Sequence, residues 1–190
     1  MKGYIYTMYQ GADPGRGWIM NDPDIYSATP SLGACVPNVR RNVEVGDYIF
    51  VVSGRSSGVR QFVVGGFKVA EKIDALAAFE RFPEKRIALH DSGQIVGNVI
   101  VDKDGQQNPL DYHGNFERRV ENYIVGRDPL AFQSDGEIES SRQGSLPALR
   151  NIFDREAAES IFQVIGRWRK MDEAQIEQLL DWIKKIKNGV

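Results

Sequence analysis

The chain has 190 residues, of which 42% are hydrophobic and 26% are charged, a composition typical of a folded globular protein. Its formal net charge of −2 excludes a general attraction to nucleic acid or anionic lipid, so any polyanion site needs a local cluster of positive side chains. The single cysteine excludes an internal disulfide, and the two histidines are not spaced as metal ligands.

No segment approaches 18 uninterrupted apolar residues, and residues 1–10 resemble a strand and not the apolar core of a signal peptide. We therefore expect a cytoplasmic protein with no membrane partner. The sequence contains no Walker loop, no paired-glycine dinucleotide fingerprint, no nucleophile elbow and no zinc-protease motif, so we expect no cofactor or metal. Nothing in it indicates the oligomeric state.

The first element in chain order is a strand, because residues 3–10 alternate with a period of two. A long loop rich in proline and glycine follows over 11–38. Residues 47–54 and 60–73 are the clearest strands, and the Gly/Ser turn between them predicts a hairpin. A short helix begins at Asp74 and ends before Pro83, and two more strands are predicted within 85–102.

Beyond Phe116 the pattern changes. Residues 116–126 are compatible with a strand or a helix, and 128–145 are polar and turn-rich, which predicts a surface loop. Helices are predicted at 145–153, 154–166 and 172–188, the last with a capping box at Asp172 and Gln175.

These elements predict an α+β fold, a small and mostly antiparallel sheet or β-barrel with flanking helices and a helical C-terminal segment. We expect one domain over residues 1–135 and a helical extension over 136–190 that packs on it.

Several side chains are candidates for chemistry. His113 and Cys35 are possible catalytic groups, although a loop histidine and a buried structural cysteine are the alternatives. Arginines occur as Arg40–Arg41, as Arg118–Arg119 and around Trp168, where they suit phosphate oxygens or ion pairs with acidic residues. Aromatic side chains of the first strand and loop can stack on a base or fill a core.

Three segments taken together resemble the PUA-like superfamily, in particular its EVE and YTH branches. They are "GYIYTMYQGAD", "YSATPSLGACVPNVRRNVEVGDYIFVVSG" and "FVVGGFKVAEKI", within residues 3–73. The segment 34–54 is most similar to the nucleotide-modification-associated domains of the second type. The matching residues are Cys35, Pro37, Val39, Arg40, Arg41, Gly46 and Asp47.

This resemblance implies a PUA-like, EVE-like barrel whose pocket accepts a flipped or single-stranded modified base. The base-binding positions that it implies are Tyr6, Trp18, Asn38 and Ser53. Arg40 and Arg41 would hold backbone phosphates.

The sequence therefore predicts a non-enzymatic module that binds nucleic acid or a modified nucleotide and reads a modified base in DNA or RNA. The alternative is an enzyme of nucleotide or nucleobase modification that uses His113 or Cys35. A protein-interaction domain built on the C-terminal helices is a third hypothesis, which depends on whether Trp182 is presented to solvent.

Overall fold

A computed structural model describes residues 1–91 and 93–189, and these residues contain eight strands and six α-helices. The strands are β1 (Gly3–Thr7), β2 (Ser31–Leu32), β3 (Tyr48–Val52), β4 (Val63–Ile73), β5 (Ala88–Leu89), β6 (Ile95–Val96), β7 (Tyr123–Ala131) and β8 (Trp168–Met171). The helices are α1 (Pro37–Asn42), α2 (Ala75–Arg81), α3 (Glu117–Val120), α4 (Asp135–Ile152), α5 (Ile161–Ile165) and α6 (Glu173–Lys187).

Six of the described strands form one mixed sheet in the order β2-β7-β4-β3-β1-β8, and β5 pairs with β6 in a separate hairpin. β1 runs parallel to β3 and antiparallel to β8, while β2 and β7 are antiparallel. The predicted α+β class is confirmed. The strands of the described residues form no closed barrel, so the PUA-like barrel is not confirmed.

The chain divides into two compact units, and β4 and β7 contribute residues to both. Unit 1 comprises residues 1–18, 46–67 and 130 onward, and unit 2 comprises 19–45 and 68–129. Residues 136–189 thus belong to the unit that contains β1 and β3. The predicted domain boundary at residue 135 stays a prediction.

The core of unit 1 lies between its strands and the C-terminal helices. Ile5, Phe50 and Val52 contribute from β1 and β3, and they are fully buried. The apolar stripe of α6 packs against the same cluster through Ile176, Leu179 and Ile183. Trp182 is half-buried, with its ring 6.0 Å from that of Phe132. The helix predicted at 172–188 is confirmed, including its capping box at Asp172.

The predicted surface loop at 128–145 is wrong. Residues 128–131 belong to β7, and α4 begins at Asp135 after a capping box between Ser134 and Glu137. Ser141 and Ser145 on its buried face bond the backbone of Val63: Ser141 Oγ donates to the carbonyl at 2.8 Å, and the amide donates to Ser145 Oγ at 2.9 Å. Small polar residues on the buried face concealed the helical period.

Unit 2 has its own apolar cluster around α2. Ala78, Phe82, Val99 and Tyr123 are buried in it. The ambiguous segment 116–126 contains both predicted element types, because α3 ends at Val120 and β7 follows. Throughout the described residues, no helix combines the length and apolarity needed to cross a bilayer.

Candidate nucleic-acid interface

The six predicted site residues are divided between the units. Tyr6, Trp18 and Ser53 belong to unit 1, while Asn38, Arg40 and Arg41 lie on α1 in unit 2. Within unit 1, Tyr6 is only 1% exposed on β1, whereas Trp18 is 38% exposed. Among the predicted stacking residues of unit 1, Trp18 is therefore the one that presents its ring to a ligand.

Ser53 is fully buried at the end of β3 and closes the turn into β4. Its Oγ accepts a hydrogen bond from the amide of Phe62 at 3.0 Å, and its carbonyl accepts one from Gln61 Nε2 at 2.8 Å. Its predicted contact with a base stays a prediction, and in the folded chain its hydroxyl stabilises the turn.

The two adjacent arginines of α1 face different surroundings. Arg40 is fully buried, and its guanidinium donates to the backbone carbonyls of Ala34, Cys35, Arg119 and Asn122 at 2.5–3.0 Å. Arg41 is exposed. Neighbouring residues on a helix point about 100° apart, which explains the contrast. Arg40 orders the chain before α1, and Arg41 is the member of the pair that can meet a phosphate.

Asn38 is exposed on the same helix, and its carbonyl accepts a hydrogen bond from Asn42 Nδ2 at 2.7 Å. Its side chain is accessible, as hydrogen bonding to a base edge requires. That role stays a prediction.

The two candidate catalytic groups both lie in unit 2. His113 Nε2 is 2.9 Å from Asp111 Oδ2, so the ring is oriented by a carboxylate. Burial raises the pKa of the Cys35 thiol well above its ordinary value, and the nearby Asp22 carboxylate raises it further. A nucleophilic cysteine needs the opposite, a lowered pKa. The environment of Cys35 therefore favours a structural thiol.

The raised pKa of Cys35 predicts a loss of stability at alkaline pH. The thiol of the unfolded chain has a pKa of about 8.5, whereas the folded thiol keeps its proton above that pH. The contribution of the buried thiol to the free energy of unfolding is fully present below that pH. It is lost as the pH rises toward the pKa of the folded thiol. The free energy of unfolding falls by at most about 1.4 kcal/mol per pH unit from this one group. Urea denaturation between about pH 8 and 9.5 should show a smaller decline for Cys35→Ala. An equal decline would contradict this account.

Two loops of unit 1 are held side by side. Loop A (residues 9–18) and loop B (residues 53–62) are joined by backbone hydrogen bonds from Gly11 to Arg55 at 3.0 Å and from Gly54 to Ala12 at 2.7 Å. Arg16 Nη1 donates to the carbonyl of Ser57 at 2.8 Å. A Cβ on Gly54 would overlap the backbone of loop A, so only glycine permits this approach.

The paired loops carry aromatic and positive side chains on their exposed surface. Tyr9 and Trp18 are 55% and 38% exposed, and their rings meet edge to face with centroids 5.5 Å apart. Arg16, Arg55 and Arg60 are exposed in the same two loops. We call these five residues the arginine–aromatic surface. Over residues 1–91 and 93–189, none of the three arginines makes an ion pair, so no carboxylate neutralises their charge, although Arg16 Nη1 is engaged by the carbonyl of Ser57.

The only acidic side chain of the two loops is buried beneath this surface. Asp13 is 1% exposed and forms a two-oxygen ion pair with Arg142 of α4, at 2.7 and 2.9 Å. Arg142 also donates to the carbonyl of Arg60 at 2.5 Å and lies over the ring of Phe62 at 4.5 Å. One guanidinium thus attaches both loops to α4 and neutralises the only carboxylate, which leaves the exposed charge of the loops positive.

Three of the residues gathered here were not predicted from the sequence. Arg16, Arg55 and Arg60 are separated by up to 44 positions, and the close backbone approach at Gly54 allows their loops to meet. One sequence signal could have identified these loops as positively charged. The segments "GADPGRGW" and "SGRSSGVRQF" together contain three arginines and one acidic residue.

No protein-family model matches the chain, and a search of curated protein sequences gives no match. The resemblance of residues 3–73 to PUA-like domains therefore stays a prediction based on their motifs.

Proposed function

We propose that this protein is a nucleic-acid-binding module in which an unpaired base stacks on Trp18 while the arginines around it contact backbone phosphates. The observation that carries this proposal is the arginine–aromatic surface, with its exposed ring pair and three exposed arginines without ion-pair partners in the described chain. The binding site lies on loops A and B of unit 1.

The chemistry of the surface favours nucleic acid over other anions. Guanidinium groups bind phosphate oxygens bidentately, and base stacking on an aromatic ring contributes about 1–3 kcal/mol per base. The whole chain has a formal charge of −2, so the attraction must come from a local cluster, and the three exposed arginines of loops A and B support this proposal.

An unpaired base suits the surface better than an intact duplex. The face of an aromatic ring can stack on a base only if that base is unstacked from its neighbours, as in a single strand or after flipping. The resemblance to PUA-like domains makes a modified base in DNA or RNA the expected ligand. It also makes the PUA-like, EVE-like barrel part of the same proposal.

The test is a titration of labelled oligonucleotides, single-stranded and duplex, with and without the modified base, at one fixed salt concentration. We expect binding to single strands to exceed binding to duplex, with the modified strand bound most tightly. Failure to bind any of these oligonucleotides would overturn the proposal.

Salt dependence gives a quantitative prediction for the three arginines. Three phosphate contacts to a single strand correspond to a slope of about −2 in log K against log salt, and each contact contributes about 0.7. Arg16→Gln, Arg55→Gln and Arg60→Gln should each make the slope less steep by that amount. Arg155→Gln is the control, because Arg155 is an exposed arginine of unit 1 outside loops A and B. Equal slopes for the wild-type protein and the three variants would contradict the assignment.

A further inference from the structure

A second exposed tryptophan lies on the edge strand of unit 1. Trp168 is 37% exposed on β8, opposite Tyr6 in the register with β1. Its ring packs on that of Tyr4, with centroids 6.1 Å apart. The indole is therefore fixed on one side by Tyr4 and open to solvent on another.

The three positive residues around Trp168 lie in two environments. Arg169 is tied down, because it donates to the carbonyl of Val164 at 2.7 Å and lies 5.0 Å from the ring of Phe153. Arg167 and Lys170 are exposed, and neither forms an ion pair within the part of the chain that the structure describes. β8 and the residue before it thus present one aromatic ring and two cations, and loops A and B likewise combine aromatic rings with cations.

This second group is attached to the same short stretch of chain as the first. The amide of Thr7 donates to the carbonyl of Arg167 at 3.1 Å, and the Thr7 hydroxyl donates to the carbonyl of Gly166 at 3.3 Å. Tyr9, whose ring contacts Trp18, follows only two residues later. Two residues span at most about 7 Å of extended chain, so Thr7 and Tyr9, which hold the two groups, lie within about that distance of each other.

We propose that Arg167, Trp168 and Lys170 form a second subsite for the same nucleic-acid strand. A second base stacks on Trp168, and the two cations contact its phosphates. This inference rests on the proposed function and extends it, because it assigns the ligand class as a single-stranded segment of several nucleotides and not an isolated nucleotide. Site sizes of about 4–16 nucleotides per binding fold are usual for such combined surfaces.

Tryptophan fluorescence in variants with one tryptophan separates the two subsites, since the chain has three tryptophans. The variant W18F/W182F reports on Trp168 alone. We expect its emission to change with oligothymidylates of about 8 nucleotides, and to change little with a dinucleotide at the same fractional saturation of the protein. The variant W18F/W168F reports on the half-buried Trp182 and is the control, in which emission should stay constant.

Affinity provides the independent measurement. Trp168→Ala should weaken binding of the longer oligonucleotide by about 5- to 150-fold. The affinity for the dinucleotide should stay within about 2-fold of the wild-type value. The double variant R167Q/K170Q keeps the ring and should reduce the salt slope for the longer strand by about 1.4.

If the longer strand leaves Trp168 emission unchanged and both variants bind it like wild type, the second subsite is overturned. The proposed function then stands provided that Trp18→Ala still weakens binding. If wild-type protein binds none of the oligonucleotides, both proposals fall.

Discussion

Trp18→Ala should weaken binding of a single-stranded oligonucleotide by about 5- to 150-fold, since it removes a stacking contribution of about 1–3 kcal/mol. The free energy of unfolding should fall by less than for truncation of a fully buried aromatic residue, because Trp18 is 38% exposed. Fluorescence anisotropy gives the affinity, and urea denaturation gives the stability of the same preparation.

Tyr112→Ala is the matched control for this loss. Tyr112 is the most exposed of the large hydrophobic side chains in the described residues, at 82%, and lies in unit 2 outside the arginine–aromatic surface. Its removal should leave the affinity unchanged. An equal loss in both variants, or no loss in Trp18→Ala, would show that the base does not stack on Trp18.

The largest effect on stability is expected from Asp13→Asn. The substitution preserves the shape of the side chain but leaves the charge of Arg142 buried without a carboxylate, with both side chains at most 8% exposed. Removal of one partner from a buried ion pair costs about 3–5 kcal/mol. Urea denaturation at neutral pH measures this loss directly.

Three further variants, D13N/R142M, Arg142→Met and Arg81→Gln, check that burial of the ion pair causes the loss of stability. In D13N/R142M no charge remains at this site, so its loss of stability should be smaller than the sum of the losses in Asp13→Asn and in Arg142→Met. Arg81→Gln breaks a comparably short pair with Glu71 at the surface, where solvent screens the interaction, and its effect should be small. A loss in Asp13→Asn no larger than that in Arg81→Gln would contradict the supporting role of the buried pair.

Helix α6 illustrates what could be predicted from the sequence. Its apolar residues recur with the helical period, and its capping box lies at the first turn, so local chemistry and tertiary packing indicate the same element. Helix α4 shows the opposite case. Its buried face includes Ser141, Arg142 and Ser145, which bond backbone and side-chain groups across the core of unit 1 and carry no hydrophobic signal.

The predicted site residues also differ in how far the local sequence could show whether they are exposed. Trp18 could be nominated because an aromatic side chain in a polar loop has few ways to be buried. Arg40 and Arg41 could not be distinguished, since a helix of six residues is too short for its hydrophobic pattern to reveal which face is buried. Tyr6 is buried on a strand that pairs with segments distant in sequence, which no local pattern reports, whereas Ser53 is buried in the turn that leads to Gln61 and Phe62.

The positions of the arginines of loops A and B also depend on contacts between residues that are distant in sequence. Nothing near Arg55 in the sequence indicates that its carbonyl will accept a bond from Gly11, or that Arg142 will attach both loops to a helix more than 80 residues later. Only the folded chain assembles the exposed positive charge. A chain with a slightly negative total can therefore still present a surface suited to a polyanion.

The central claim, that an unpaired base stacks on Trp18, is tested most directly by the emission of Trp18 alone. In the variant W168F/W182F this indole is the only tryptophan, because the chain has three. Titration with a single-stranded oligonucleotide should quench its emission in a saturable manner, with a midpoint equal to the dissociation constant from anisotropy. Binding by anisotropy with no change in Trp18 emission would contradict the claim.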